Sequence, residues 1–321
     1  MKSPRRVRCL NMINKVKFTI AGFFTKKMII NKLLSLYEMN NHMFKKNIEI
    51  STLYDSYPDL LWNGGRVLCN DDGLKDYSKI LSNIRKINNL DIGVNFTFSN
   101  MFINKNDLLD EECNAILKIL SENNLNGVIV SSELLAEYID THYPTLNIIL
   151  SVTHFYHDVL NIKEKVINVM MSEKFDKVVI PPDFNYDTKF LNKLHNKSNI
   201  EILINETCFQ NCPYKAQHYR LINLDNKYKT SHAVNYCQKQ YDDIKNTYRL
   251  INNFSELNRY LDIGIRNFKI SARALEDKVF VYFLSEYLID DAYKKSFFNY
   301  MSEKPINNLD FSEIYKEHLV W

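Results

Sequence analysis

Short apolar runs of strand length recur along the chain, and most are followed by a segment with helical periodicity. Eight runs are predicted strands: residues 17–21, 47–53, 92–96, 127–130, 147–152, 177–180, 200–204 and 268–270. The predicted helices are 26–38, 106–121, 133–142, 160–173, 188–195 and 277–287. Strands that alternate with helices favour parallel β/α units, and eight units favour closure into a single TIM-like (β/α)8 barrel.

The apolar character of the strands supports this architecture. Residues 148–150 and 178–180 are apolar without alternation, which is typical of parallel strands buried on both faces. An open, doubly wound sheet is the alternative. No predicted strand is followed by Gly-x-Gly-x-x-Gly, so the nucleotide-binding version of that sheet would lack its phosphate loop.

The chain length of 321 residues fits one barrel with extra loops, since a β/α barrel needs roughly 250 residues. We predict a flexible basic tail at 1–15, the barrel at 16–290 and a C-terminal helical extension at 291–321. The longest irregular segment, 208–250, follows the seventh strand and contains aromatic residues throughout. We expect it to form an ordered cap on the barrel mouth.

Composition and charge exclude some classes of protein. The chain is 45% hydrophobic and 25% charged, as is typical of globular proteins. Its net charge of +3 does not indicate nucleic-acid binding. No apolar run reaches the ~18–20 residues that span a bilayer, and the apolar stretch 16–24 is interpreted as a strand rather than a signal peptide. We therefore expect a cytoplasmic protein without a membrane span.

Active sites of β/α barrels form from the loops at the carboxyl ends of the strands. Each polar residue there also has a structural interpretation, such as a helix cap or a hydrogen-bonded loop histidine. The candidates at the ends of strands five, six and seven are His154, Asp183, Asn205 and Glu206.

The motif Trp62-Asn-Gly-Gly-Arg66 follows the second strand and adds two candidates, Asn63 and Arg66. Adjacent glycines permit a close backbone approach, and an arginine can bind a carboxylate with two parallel hydrogen bonds. The motif is equally compatible with an ordinary turn.

Cysteines are the sharpest chemical signal. Cys208 and Cys212 form a C-x3-C-Pro motif directly after strand seven, and Cys237 lies near the other end of the same segment. Thiolates hold iron–sulfur clusters or zinc, so these three could occupy three corners of a [4Fe–4S] cluster. Cys69, in the loop after strand two, is the best-placed fourth ligand.

Other interpretations of these cysteines stay open. His218 and His232 flank the same segment, which keeps a zinc site possible. A pair of buried thiols without metal is the structural alternative. Cys113 lies within a predicted amphipathic helix, where we expect it in the core.

Three segments resemble peptidase family U32. The stretch 264–273 resembles the Lys-Ile-Glu-Gly-Arg signature of that family, although Ser271 and Ala272 replace its glutamate and glycine, so Lys269 and Arg273 carry over. Residues 200–212 resemble the strand that ends in a cysteine-bearing loop, and Pro181-Pro182-Asp183 stands where the family has a polar loop. The likeness covers roughly residues 92–287.

This resemblance implies a β/α barrel. The best understood members of the family hold a four-iron cluster by four cysteines and hydroxylate the ubiquinone ring or a tRNA uridine without oxygen, with prephenate as oxygen donor. Others are described as collagenase-like peptidases, and some members work in pairs. The cysteine spacing of this chain differs from that of the tRNA hydroxylase, so the substrate does not carry over.

The leading hypothesis is an iron–sulfur barrel enzyme that hydroxylates, or otherwise modifies, an unidentified small or macromolecular substrate without oxygen. In it, Glu206 or Asp183 handles protons, and Arg273 and Arg66 bind an anionic group. Asn63, Asn205, Lys269 and His154 are the other predicted substrate-binding residues.

Two other functions compete with this one. The first is a peptidase with a zinc site, although the chain contains neither Gly-x-Ser-x-Gly nor His-Glu-x-x-His. The second is a non-catalytic barrel that acts as one subunit of a heterodimer with a related barrel. A radical S-adenosylmethionine enzyme is disfavoured, because Lys215 stands where C-x3-C-x2-C requires its third cysteine.

Overall fold

The computed structural model describes residues 15–57, 60–65, 76–158, 160–206, 208, 211–233, 236, 251, 253–272 and 275–302. Eight parallel strands pair in chain order, and the last strand pairs with the first to close the barrel. The strands are β1 Val16–Ala21, β2 Ile48–Asp55, β3 Gly93–Phe98, β4 Gly127–Val130, β5 Asn147–Leu150, β6 Lys177–Ile180, β7 Ile200–Leu203 and β8 Asn267–Ile270. The predicted (β/α)8 barrel is confirmed.

Helices surround this barrel. The α-helices are α1 Lys27–Met39, α2 Tyr77–Asn88, α3 Glu111–Leu120, α4 Glu133–His142, α5 Ile162–Ser172, α6 Thr188–Lys193, α7 Lys215–Tyr228, α8 Asn258–Leu261, α9 Asp277–Leu288 and α10 Lys294–Met301. Six of them correspond to predicted helices: five agree within a few residues at each end, and α3 starts five residues later than predicted. Helices α2 and α7 were not predicted, and the prediction that all of 208–250 is irregular was wrong, since α7 lies within it.

The missed helix α2 has ordinary helix signals. Ile80, Ile84 and Ile87 are buried along one face, at the spacing that an amphipathic helix requires. Asp76 caps its first turn by accepting hydrogen bonds from the backbone N–H groups of Ser78 and Lys79. The helix therefore follows from its sequence, and it covers the sheet beside β3.

Aromatic packing stabilises the seam where the barrel closes. Phe18 of β1 pairs in register with Phe268 of β8, and their ring centroids lie 6.0 Å apart. Tyr287 of α9 packs against Phe18 and stacks on Phe283. Each buried ring contributes roughly 1.5–3 kcal/mol, so this cluster joins the last strand and α9 firmly to the first strand.

The barrel interior is polar on the side of β1, β7 and β8. Thr19 donates a 2.7 Å hydrogen bond to Glu201 Oε1, although β1 and β7 are not neighbouring strands, so this contact crosses the interior. Lys269 Nζ lies 3.9 Å from Glu201 Oε2 and 4.0 Å from the ring centroid of Tyr54. The predicted substrate-binding residue Lys269 is thus an interior residue whose side chain is 9% exposed.

The predicted C-terminal extension is described as far as residue 302. A short 3-10 helix, Asp291–Tyr293, leads into α10, which packs against α9 and α1 and buries Phe297, Phe298 and Met301. Residues 303–321 and most of the predicted basic tail, 1–14, lie outside the described residues. Within the described part of the chain, we find no helix with both the length and the apolar character to cross a membrane.

Candidate functional site

Helix α7 runs across the carboxyl end of the barrel. Asn223, which is fully buried, accepts a 2.7 Å hydrogen bond from the Met101 N–H and donates to the Gly64 carbonyl at 3.0 Å. Lys227 at the end of the helix makes a 2.6 Å ion pair with Asp107. These contacts fix the helix to the loops after β2 and β3. Because residues 237–250 lie outside the described part of the chain, the complete cap stays a prediction.

The turn Trp62–Gly65 is held by its own polar groups. Asn63 is buried, donates to the Tyr57 carbonyl at 3.3 Å and accepts from the Gly65 N–H at 3.2 Å. A Cβ atom on Gly64 would lie 2.0 Å from the Ser99 carbonyl oxygen, so only glycine fits there. Asn63 therefore shapes this turn. Arg66, the predicted anion-binding residue, lies outside the described residues.

Four segments meet at the carboxylate of Asp183, just after β6. Tyr156, from the loop after β5, donates a 2.6 Å hydrogen bond to Oδ2. The Asn211 N–H, from the cysteine-bearing loop, donates to Oδ1 at 2.7 Å. Lys215, in the first turn of α7, donates to Oδ1 at 2.9 Å and to Oδ2 at 3.1 Å. This arrangement ties α7 and the cysteine loop to the barrel.

The charges in this cluster are mutually stabilised. Burial by itself would raise the pKa of Asp183, but Lys215 and the donors Tyr156 and Asn211 outweigh it and hold that pKa below its ordinary value. Burial would lower the pKa of Lys215, but the nearby Glu206, Asp183 and Cys208 raise it overall. Burial also raises the pKa of Tyr156, and the Asp183 charge adds to the effect. At neutral pH the cluster therefore contains a carboxylate, an ammonium and a neutral phenol.

Glu206 lies beside this cluster, after β7. Its Oε1 accepts a 3.2 Å hydrogen bond from the Cys208 N–H. Its Oε2 is buried and has no hydrogen-bond partner within the described part of the chain. A buried carboxylate oxygen without a donor is costly, so it is a natural binding point for a substrate proton or a water molecule.

Both thiols of the C-x3-C motif lie at this mouth. Cys208 and Cys212 are half-buried and are not in a disulfide. No group of three or more histidine, cysteine, aspartate or glutamate side chains in the described ranges is arranged to hold a metal, which includes Cys208 and Cys212 taken with His218. Cys237 and Cys69, the other predicted cluster ligands, lie outside those ranges. The iron–sulfur cluster therefore stays a prediction.

Cys113 differs sharply from those two thiols. It is fully buried in α3, and burial raises the pKa of its thiol far above the ordinary value. Its predicted place in the core is confirmed. The thiol is also protected from solvent, which makes it useful as an internal reference for the half-buried thiols of Cys208 and Cys212.

The remaining predicted site residues make local contacts. Asn205 is buried and brackets Ser271, donating to its carbonyl at 2.8 Å and accepting from its N–H at 2.7 Å. His154 Nδ1 lies 2.9 Å from the Ser131 carbonyl oxygen, and its Nε2 is 3.9 Å from a Glu133 oxygen. Arg273 lies outside the described residues. Their predicted roles stay predictions.

The structure thus brings Asp183, Glu206 and Cys208 together around Lys215, which the sequence analysis did not choose as a site residue. Lysine is almost never buried without an acidic partner, and the Lys215 side chain is only 2% exposed. The available signal was its position, three residues after Cys212 at the start of α7. That signal is weak in a segment interpreted as irregular.

The fold and this mouth define a β/α barrel with a charged, thiol-bearing carboxyl end. No protein-family model matches the sequence, and no curated protein matches it. The fold is similar to the solved structure of the U32 peptidase Mk0906, with a TM-score of 0.50 and 10% identity over 84% of this chain and 96% of that chain. The predicted resemblance to U32 proteins is therefore confirmed for the fold.

Proposed function

We propose that this protein is an iron–sulfur enzyme of the U32 type whose active site lies at the carboxyl end of the barrel. The observation that carries the proposal is the pair of half-buried thiols, Cys208 and Cys212, in one loop at the mouth, with Cys208 near the ammonium of Lys215. Cysteine sulfur is a soft ligand of the kind that holds iron–sulfur clusters. Cys237 and Cys69 are the proposed remaining ligands.

The chain's own groups have distinct proposed roles. Glu206 would take or give the proton of the reaction through its buried Oε2. Arg66 and Arg273 would bind an anionic group of the substrate or of the oxygen donor. A [4Fe–4S] cluster, when bound, supplies electron transfer. The proposed activity is hydroxylation without molecular oxygen, or a related modification, of an unidentified substrate.

Metal analysis tests this proposal. We expect protein that is purified and reconstituted without oxygen to contain about four iron atoms and four acid-labile sulfides per chain. Cys208→Ser and Cys212→Ser should each lower that content strongly, because each removes a proposed ligand. Cys113→Ala is the matched control and should load like the wild type, since that thiol lies in the core. A colourless wild-type protein without iron would refute the proposal.

The second candidate is a peptidase, which the fold of the U32 peptidase Mk0906 favours. A zinc-dependent version would need ligands other than the combination of Cys208, Cys212 and His218, which is not assembled as a metal site. Zinc without acid-labile sulfide, together with cleavage of a denatured collagen or casein substrate, would support the peptidase over the iron–sulfur enzyme. Loss of that cleavage in Glu206→Gln would place the activity at this mouth.

A further inference from the structure

The cysteine loop is held by a carboxylate at each of its two cysteines. Glu206 binds the backbone N–H of Cys208 at 3.2 Å, and Asp183 binds the N–H of Asn211, the residue before Cys212, at 2.7 Å. We propose that Asp183 is a positioning residue that holds Asn211, and with it the adjacent Cys212, in place at the barrel mouth. Its relevance to iron binding rests on the proposed function, whereas the positioning itself does not.

The backbone of the loop needs such an anchor. Asn211 has a φ of 53°, in the left-handed region that residues other than glycine rarely adopt. Asparagine tolerates this conformation better than most residues, but it is still unfavourable without compensating contacts. The hydrogen bond from Asn211 N–H to an ionised, buried carboxylate is a strong contact of that kind.

The bonding of Asp183 also separates it from Glu206. A carboxylate has about four lone-pair positions, and Asp183 accepts four hydrogen bonds, from Tyr156, from Asn211 and twice from Lys215. No position is left for a substrate proton. Glu206 keeps a buried oxygen without a hydrogen-bond partner in the described ranges. Of the two predicted proton-handling residues, Glu206 suits that role, and Asp183 suits the role of an anchor.

Thiol labelling in metal-free protein tests the positioning role. Native wild type and Asp183→Asn are treated with iodoacetamide, and the labelling rate of each cysteine is followed by peptide mass spectrometry. Cys113 serves as the internal reference, because it reacts only if the whole barrel unfolds. Asp187→Asn is the matched control, since Asp187 is a carboxylate four residues further on that caps α6 and binds Lys163 rather than the cysteine loop. Asparagine keeps that helix cap.

We expect Asp183→Asn to raise the labelling rates of Cys208 and Cys212 about tenfold, because a charged hydrogen bond that restrains the loop is weakened. Cys113 should stay unlabelled, and Asp187→Asn should behave like wild type. Rates within twofold of wild type would overturn the proposal. A rise that Cys113 shares indicates global unfolding; in that case Tyr156→Phe, which removes one donor to the same carboxylate, is judged by the same rates.

Iron content separates this inference from the proposed function. If the wild type binds a cluster, Asp183→Asn should retain less iron and sulfide per chain than Asp187→Asn. Equal iron in the two variants would count against the positioning role. If the wild type binds no iron under any condition, the proposed function fails, and the labelling rates alone decide whether Asp183 positions the loop.

Discussion

Among the described residues, a lysine–carboxylate pair at the mouth, Lys215–Asp183, contrasts with one in the barrel interior, Lys269–Glu201. At the mouth, Lys215 Nζ lies 2.9 Å and 3.1 Å from the two oxygens of Asp183. In the interior, Lys269 Nζ lies 3.9 Å from Glu201, too far for a hydrogen bond. The mouth pair is therefore a hydrogen-bonded ion pair with a fixed geometry, whereas the interior pair interacts mainly through the attraction of opposite charges.

The surroundings explain the difference. Glu201 and Lys269 lie on β7 and β8, which backbone hydrogen bonds already hold in place. Their attraction neutralises two charges that burial would otherwise make very costly. Asp183 follows β6 and Lys215 lies in α7. A strand and a helix share no backbone ladder, so side-chain contacts such as this one must hold them together. The interior pair should therefore matter most for the stability of the barrel, and the mouth pair for the conformation of the site.

The largest effect is expected from breaking the interior pair. Glu201→Gln removes the carboxylate charge that lies 3.9 Å from Lys269 and 3.6 Å from Lys177. Loss of one partner of a buried pair costs about 3–5 kcal/mol, and the free energy of unfolding in urea should fall by that amount. The double variant Glu201→Gln/Lys269→Met should recover most of the loss.

An exposed pair provides the control for that comparison. Glu137 and Lys174 lie 2.9 Å apart on the surface, with side chains that are 64% and 33% exposed. Glu137→Gln should leave the free energy of unfolding unchanged within error, because solvent screens such pairs. A Glu201→Gln variant that is no less stable than Glu137→Gln would show that the interior charge is not coupled to Lys269.

An intermediate effect is expected where α7 is fixed to the barrel. Asn223→Ala removes a side chain that binds Met101 and Gly64, and it leaves the Met101 N–H and the Gly64 carbonyl without those partners. Unfolding in urea should show a loss of about 2 kcal/mol. Asn226→Ala is the matched control one turn away, since it removes a single 3.0 Å bond to the Gly65 carbonyl and should cost less. Equal losses of stability would mean that the buried hydrogen bonds of Asn223 to Met101 and Gly64 contribute no more than the single bond of Asn226.

The contrast between β6 and α7 also shows what a sequence can reveal. Val178, Val179 and Ile180 form an apolar run, and the strand lies where that run predicts it. Helix α7 escaped detection because its buried face consists mostly of Lys215, His218 and Asn223. A search for hydrophobic periodicity cannot find a helix whose buried face is polar. Such a helix can be recognised only when the residues that bind its polar face are known.

The residues of the candidate site likewise include some that the sequence predicts and one that it does not. Asp183, Glu206 and Cys208 were found because a barrel gathers the ends of its strands at one mouth, which is a property of the topology. Lys215 was not, because the burial of a lysine depends on a carboxylate 32 residues earlier in the chain. The distinct roles of the two carboxylates were equally hidden, since they depend on which oxygens already accept hydrogen bonds.

The smallest effect expected is a pH dependence that belongs to the mouth pair. The pKa of Asp183 is lowered in the folded protein, so its contribution to stability is present above the ordinary aspartate pKa of about 4 and is lost as the pH falls through its lower folded value. The stability difference between wild type and Asp183→Asn should therefore be constant from about pH 5 to pH 8 and shrink below about pH 4. The difference between wild type and Asn223→Ala should not change in that window, because asparagine does not titrate. Urea unfolding across the pH series measures both differences. A difference for Asp183→Asn that persists undiminished at pH 3 would mean that the charge of Asp183 does not hold the mouth together, and the distinction between the two pairs would then rest on geometry alone.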